Sequence, residues 1–214
     1  MAFGLMAVCN QAEQTLVNLA RTASFLYHSS MDILTLGSDV LHQKAAPVEN
    51  IKKDSRKWHE IAAMMLEAVK AGKGVGLAGP QIGLMQRIFV VSIEGDDPRV
   101  FINPSIIETS TETVKYEEGC LSIPGIWADV VRPKTVKVQA WNEKGGAFTL
   151  EARGLLARVI LHEYDHLEGV LFIDRLSEHK RKKILDKTAK MASTRRARAG
   201  GKAAPDKQAS DERT

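Results

Sequence analysis

The stretch GLLARVILHEYDHLEG, residues 154–169, carries the strongest structural signal in the chain. Its apolar residues recur at the spacing of one helical face, and Gly169 is a typical residue at a helix end. The pattern predicts a helix from Arg153 to Leu167. Because positions four apart lie on the same side of a helix, His162 and His166 can reach a single ligand.

The pentad HEYDH, residues 162–166, has the H-E-x-x-H spacing, in which two imidazoles hold a metal ion and the glutamate, here Glu163, handles the proton of a bound water. Such a pentad can also arise by coincidence on an amphipathic helix. Here it follows the apolar residues Val159 and Ile160, among which an unpaired polar group would be costly. The context favours a metal site.

A catalytic metal site needs a third protein ligand and one open position. Downstream of the pentad, no candidate has a spacing known for H-E-x-x-H proteases; the candidates are Glu168, Asp174, Glu178 and His179. Upstream, the segment YEEGCLSIPG, residues 116–125, places Cys120 before a Pro-Gly turn. A thiolate on such a loop is a strong ligand for zinc or ferrous iron. The alternative for Cys120 is an inert cysteine in the core.

The segments on either side of this helix indicate an α+β fold. Helical spacing predicts a first helix from Ile51 to Ala71, and short β-branched runs predict strands at 87–93, 105–110, 135–141 and 147–152. A last helix is predicted to begin near Ser177 and to give way to a disordered tail at Gly200. The order of helix, strands and helix favours α+β over a doubly wound parallel sheet.

The stretch GVGLAGPQIG, residues 74–83, contains the G-x-G-x-x-G spacing of a dinucleotide-binding loop. Such a loop must follow a strand and open a helix, so that the pyrophosphate meets the helix N-terminus. Here a predicted helix precedes the glycines, and Pro80 and a predicted strand follow them. The context argues against a nucleotide site.

Three motifs, GVGLAGPQIG, EGCLS and HEYDH, resemble in this order those of the peptide deformylases, and the resemblance extends from about Met31 to Arg175. It implies a metal-dependent hydrolase that removes the N-formyl group from the formylmethionine of nascent polypeptides and releases formate. It also implies an α+β fold whose mixed β-sheets pack around a central metal-bearing helix. The predicted C-terminal helix follows this unit.

The resemblance also implies roles for the matching residues. The implied metal ligands are Cys120, His162 and His166, and the implied acid/base is Glu163. The side chain of Gln81 and the main-chain N–H of Leu121 are the implied donors to the oxyanion. Gly76 is implied to bond the main chain of the substrate, with Val75 beside it. We expect the glycines of the first motif to make room for the peptide, because they carry no Cβ.

One face of the predicted helix is expected to line the pocket for the methionine side chain, through Leu155, Val159 and His162. Arg158 lies on the same face, where members of the family more often carry an aliphatic residue. We expect its guanidinium to reach the rim, the alternative being an altered pocket. Trp127 replaces an arginine of many bacterial members, so we expect aromatic packing near the far end of the peptide.

The cofactor is expected to be one divalent metal ion. A cysteine with two histidines is compatible with zinc, iron, nickel or cobalt, and the resemblance implies ferrous iron in the cell. Two alternatives use the same histidines. A zinc peptidase would need a ligand downstream and not Cys120, and a structural zinc site would need a fourth protein ligand, for which no suitable spacing is present.

The net charge of +4 hides an uneven distribution, because residues 179–214 hold twelve Lys or Arg and only four Asp or Glu. This basic segment suits contact with the phosphates of a ribosome, from which formylated chains emerge. A solvated helix and tail is the alternative. No apolar run has the eighteen or so residues of a membrane helix, so no membrane partner is expected.

The ends of the chain are expected to lie outside the catalytic unit. Residues 1–30 are too weakly cationic for an organellar transit peptide, and we expect them to be a dispensable extension. The catalytic domain is predicted at 31–176, with the basic helix and tail at 177–214. With two cysteines in the chain a disulfide framework is not expected, and a bacterial cytoplasm is preferred over an organelle.

Overall fold

The computed structural model describes residues 32–200, so the expectations for residues 1–30 and for the tail beyond Gly200 lie outside it. Three helices and seven strands follow one another in this range. The helices are α1 (Ser55–Ala71), α2 (Gly154–Leu167) and α3 (Glu178–Gly200). The strands are β1 (Gly76–Ala78), β2 (Ile88–Val91), β3 (Arg99–Thr109), β4 (Thr113–Cys120), β5 (Ile123–Pro133), β6 (Thr135–Trp141) and β7 (Ala147–Arg153).

The strands form a five-stranded sheet in the order β1-β2-β3-β6-β7 and a separate two-stranded sheet of β4 and β5. All pairings inside these sheets are antiparallel, and a lone parallel bridge joins Ala46 to Gln86. The predicted α+β class is therefore confirmed. Strand β1 lies at one edge of the large sheet, which leaves one side of its backbone without a neighbouring strand of that sheet.

Two helices cover opposite faces of the large sheet. Alternate residues of a strand point to opposite faces, and both sets are buried along β2. Phe89 and Val91 pack in the cluster that includes Ile160 of α2, whereas Ile88 and Val90 pack in the cluster that includes Met65 of α1. The helix with the histidine pair is thus held against a two-sided core.

The strand predictions missed the hairpin β4–β5 and the short edge strand β1. Strand β4 carries exposed polar residues such as Lys115 and Glu117, so its sequence lacks the apolar pattern that predicts a strand. The buried residues of the hairpin, including Ile123 and Val130, belong to a third hydrophobic cluster. Residues Ile184, Leu185 and Met191 of α3 also pack against this cluster.

The other predicted strands overlap observed ones, but β3 begins at Arg99 and not at residue 105. Helix α1 begins at Ser55 and not at Ile51, because residues 51–54 form turns after Asn50, whose φ is +53°. Helix α3 begins at Glu178, one residue beyond the predicted start. Within residues 32–200, no helix combines the length and the apolar character that crossing a bilayer requires.

Candidate metal centre and active site

The thiol of Cys120 and the imidazoles of His162 and His166 come together at one point between α2 and the hairpin. One candidate ligand atom from each of the three residues lies within 4.8 Å of the other two. The Sγ of Cys120 is 3.3 Å from Nε2 of His166, and the two imidazole rings meet edge to face with centroids 5.1 Å apart. A soft sulfur and two imidazoles in a buried position are a donor set that suits a first-row divalent metal. The residues therefore fit the implied cofactor.

Local backbone geometry brings the thiol to the helix. Along the hairpin, the register of β4 and β5 shifts between Gly119 and Cys120, so that Cys120 pairs with Ile123 across a tight turn. Such an irregularity bends a strand and changes the direction of a side chain. On α2, one helical turn separates the two histidines, which places both rings on the side that faces the hairpin.

Glu118 orients His162 and was not predicted as a site residue. Its Oε2 is 3.0 Å from Nδ1 of His162, and its two oxygens accept hydrogen bonds of 2.6 and 2.9 Å from Arg132. Burial alone would raise the pKa of Glu118, but the bonds from His162 and Arg132 outweigh it and lower that pKa to about 2. An Nδ1–H held by Glu118 leaves Nε2 of His162 available for a metal.

Further charged groups surround the two histidines. Arg132 also donates to Asp165 at 2.8 Å, and Arg175 donates to the same carboxylate. Burial opposes a charge on His162, but the nearby Cys120 and Glu118 raise its pKa to about 10. Burial lowers the pKa of His166 well below its usual value. Glu118 lies in the motif EGCLS and Asp165 in the motif HEYDH, so their positions in the motifs could have indicated both as site residues.

Glu163 is buried beside the three candidate ligands. It is 3% exposed, and its Oε2 has no hydrogen-bond partner among residues 32–200. Burial raises the pKa of Glu163 to about 7. A Cβ on Gly76 would overlap the Oε1 of Glu163 and lie 2.9 Å from its Cδ and Cγ. The carboxylate thus occupies the space that the glycine leaves.

Two other glycines of the first motif, Gly74 and Gly79, also make room for protein atoms. A Cβ on Gly74 would lie 2.9 Å from a side-chain methyl of Leu121, and one on Gly79 would lie 2.6 Å from the carbonyl oxygen of Leu84. The expectation that the missing Cβ atoms make room for a peptide is therefore wrong. The glycines let Glu163 and Leu121 approach the backbone of the loop.

Gln81 holds its amide in a defined direction. Its Oε1 accepts a 2.7 Å hydrogen bond from the N–H of Ala78, and its Nε2 donates to Ser122 at 3.2 Å and to Cys120 at 3.5 Å. The side chain is 1% exposed and belongs to a short 3-10 helix that begins at Gly79. Because Ala78 takes the oxygen, the NH₂ group must face the thiol and the cavity.

A cavity of about 420 Å³ opens onto this centre. Every predicted site residue except His166 lines it, namely Val75, Gly76, Gln81, Cys120, Leu121, Leu155, Arg158, Val159, His162 and Glu163. At its mouth, Trp127 packs over Gly119 and remains 65% exposed. The walls are largely apolar, with a few polar groups that include Gln81, His162 and Glu163, as is typical of a small-ligand site.

Arg158 does not reach the rim of the cavity. Its guanidinium is turned inward and donates to Glu118 at 2.6 Å and to the carbonyl oxygens of Val130 and Val114 at 3.1 and 2.7 Å. The residue is 8% exposed. The rim expectation is therefore wrong, because a carboxylate and two main-chain carbonyls bind the guanidinium inside the protein.

Comparisons with known proteins point to one family. The profile of the polypeptide deformylases matches residues 30–182. A peptide deformylase of Neisseria meningitidis is 46% identical over 162 residues, which cover 75% of this chain and 95% of the relative. One from Clostridium botulinum is 50% identical over 147 residues, which cover 69% of this chain and 97% of the relative.

Solved structures give the same result. A peptide deformylase from Synechococcus elongatus, in complex with actinonin, aligns with a TM-score of 0.69 at 40% identity, covering 74% of this chain and 88% of that one. One from Legionella pneumophila aligns with a TM-score of 0.70 at 36% identity, covering 76% of this chain and 95% of that one. The shared fold thus includes the region that carries the site.

Proposed function

The chain belongs to the peptide deformylase family and removes the N-formyl group from nascent polypeptides, and we propose that Cys120, His162 and His166 hold the metal ion on which this hydrolysis depends. The observation that carries the proposal is the convergence of one thiol and two imidazoles within 4.8 Å of one another, next to the buried Glu163. We propose ferrous iron as the metal in the cell, and the same donors suit zinc, nickel and cobalt. When bound, such an ion supplies Lewis-acid chemistry, which acidifies water and polarises a carbonyl.

Glu163 is the group that moves the proton. Its carboxylate takes a proton from the attacking water and passes it to the amine that leaves. A pKa of about 7, raised by burial, suits a group that must both accept and donate a proton near neutral pH. The products are formate and a free N-terminal methionine.

Two donors stabilise the negative charge that develops on the formyl oxygen. The Nε2 of Gln81 is fixed toward the centre by the hydrogen bond that its Oε1 accepts from Ala78. The main-chain N–H of Leu121 follows Cys120 and is the second donor. Because a formyl carbon carries hydrogen where a peptide carbon carries a chain, a cramped space around these donors excludes ordinary peptide bonds.

The peptide binds along the edge strand β1. Its outer edge is free of other strands of the large sheet, so an extended substrate can add to it through Gly76, with Val75 beside it. The methionine side chain enters the cavity against Leu155 and Val159. The methylene stem of Arg158 completes that wall.

Formate release from formyl-Met-Ala by anaerobically prepared protein tests the proposal. We expect wild type to release formate, Glu163→Gln to bind metal with almost no activity, and Cys120→Ser to lose bound metal. A Cys120→Ser variant that keeps its metal and cleaves unformylated peptides would instead support the zinc peptidase. Activity across defined metals, measured without oxygen, tests the assignment of iron.

We further propose that α3 docks on the ribosome. Ile184, Leu185 and Met191 pack inward, whereas Lys182, Lys183, Lys187 and Lys190 are exposed. Changing Lys182, Lys183 and Lys187 to Glu tests this better than deleting residues 179–214, because the deletion also removes the apolar contacts. We expect co-sedimentation with ribosomes to fall, most clearly at low salt, with unchanged hydrolysis of formyl-Met-Ala. Unchanged co-sedimentation would indicate a solvated helix.

The remaining proposals concern boundaries and location. We propose that residues 31–176 form the catalytic unit, that residues 1–30 are dispensable, and that the protein acts in a bacterial cytoplasm. The relatives support a catalytic unit shorter than the chain, because the match to the Neisseria protein covers 95% of that protein but only 75% of this chain. Formate release by the chain without residues 1–30 tests whether these residues are dispensable.

A further inference from the structure

The guanidinium of Arg158 joins two parts of the active site that strand pairing does not join. Arg158 belongs to α2, whereas its partners Glu118, Val114 and Val130 belong to the hairpin β4–β5. Its guanidinium also lies 5.5 Å from the ring centroid of Tyr116 on β4. All of these contacts therefore run from the helix to the hairpin.

The position of the hairpin on α2 determines whether a metal can be held. Cys120 ends β4, and both histidines stand on α2. The hairpin is a sheet of its own, without a ladder to the five-stranded sheet, so side-chain contacts help to fix its distance from α2. Metal–ligand distances tolerate changes of only about 0.2 Å. A small displacement of the hairpin would therefore weaken the site.

Two arginines cross this gap in opposite directions. Arg132 stands on β5 and reaches Asp165 of α2 at 2.8 Å. Arg158 stands on α2 and reaches Glu118 of β4 at 2.6 Å. Both bind Oε1 of Glu118, the carboxylate whose other oxygen bonds His162.

We propose that Arg158 is a positioning residue of the metal centre, which fixes the hairpin and Glu118 relative to His162 and Cys120; this inference rests on the proposed metal-dependent function. A planar guanidinium suits the task, because one group binds a carboxylate and two carbonyl oxygens. A lysine ammonium is a point charge and cannot span all three. An aliphatic residue leaves the carbonyl oxygens of Val114 and Val130 without this donor.

The test compares Arg158→Met and Arg158→Lys with Arg87→Met as the matched control. Arg87 is also largely buried, and it binds a carboxylate, Glu168, at 2.7 Å and a carbonyl oxygen, that of Pro104, at 3.4 Å. For each variant we would measure the thermal midpoint, the affinity for cobalt by chelator competition, the thiolate–cobalt absorption band, and kcat and KM for formyl-Met-Ala.

We expect Arg158→Met to lose about tenfold or more in cobalt affinity, as is usual when a group that supports metal ligands is removed. Its thiolate–cobalt band should weaken per bound cobalt, and kcat should fall while KM changes by less than about threefold. Arg158→Lys should recover only part of the affinity. Arg87→Met should lower the thermal midpoint alone.

Two results would overturn the inference. If Arg158→Met binds cobalt like wild type and only KM rises, Arg158 acts only as a pocket wall. If only the thermal midpoint falls, as in the control, Arg158 has only a structural role. If Arg158→Met does not fold, Arg158→Lys takes its place. A cobalt affinity and a kcat equal to those of wild type in Arg158→Lys would then overturn the inference. If wild type itself binds no cobalt, the proposed function fails rather than this inference.

Discussion

Replacing Gly76 with alanine should separate the chemistry from the binding of metal and peptide. The added Cβ would lie 2.9 Å from the Cδ and Cγ of Glu163, whereas non-bonded carbon atoms prefer about 3.5–4.0 Å. Because Cγ is one of the atoms that the new Cβ would meet, a turn of the carboxylate group alone would not relieve the contact. Either its carboxylate or strand β1 must therefore move by about 1 Å.

The size of the effect follows from that displacement. A 1 Å misplacement of a reacting group costs about a hundredfold in rate, and overpacking of a core costs about 1–3 kcal/mol in stability. We therefore expect kcat of Gly76→Ala for formyl-Met-Ala to fall about a hundredfold, with the bound metal retained. Formate release, metal content and urea unfolding would be measured on the same preparation.

Gly74→Ala is the comparison variant, because its Cβ would meet the end of the flexible Leu121 side chain, which can turn away. Its loss of kcat should be clearly smaller. The reasoning is refuted if Gly76→Ala keeps kcat within about threefold of wild type while KM rises. That result would mean that Gly76 makes room for the peptide and not for Glu163.

Three further outcomes are expected. Gln81→Leu should lower kcat about a hundred- to a thousandfold in formate-release assays, with metal content unchanged, because one donor to the oxyanion is removed. In metal-free protein, the lowered pKa of Glu118, about 2 against an ordinary 4.5, contributes stability that is fully present above pH 4.5 and is lost as the pH falls toward 2. Between pH 6 and pH 3 the wild type should therefore lose about 2 kcal/mol in urea unfolding, a loss that Glu118→Gln lacks. Met191→Ala should lower the free energy of unfolding by about 2 kcal/mol or less, because Met191 is only half-buried against the third cluster, and its ribosome co-sedimentation should equal that of wild type.

The sequence was sufficient for the parts of the site that depend on short spacing. His162, Glu163 and His166 lie within one and a half turns of a helix, so periodicity alone placed them on one side. Cys120 was a candidate ligand from its own segment, but the resemblance was needed to prefer it over an inert cysteine. Nothing in that segment shows that the strand register shifts there and turns the thiol toward α2.

Contacts that cross between elements could not be predicted in the same way. Arg158 was placed on the correct helical face, but the partners that turn it inward include the carbonyl oxygens of Val114 and Val130, and main-chain oxygens leave no trace in a sequence. The glycine-rich loop was misinterpreted for a similar reason. What fills the space beside Gly76 is a carboxylate that is remote in sequence and near only in the fold.

The buried charges between the hairpin and α2 are better explained by geometry than by stability. Removing several charged groups from water is costly, and a well-packed apolar replacement is often as stable as a buried ion pair. An apolar contact can slide by a few tenths of an ångström at little cost, whereas a carboxylate held by two arginines and an imidazole has one favourable arrangement. A metal site shared by two elements needs this restriction, because its ligands approach from both sides. At the proposed metal site, we therefore expect Arg132 and Arg158 to act chiefly by fixing where the thiol stands relative to the imidazoles.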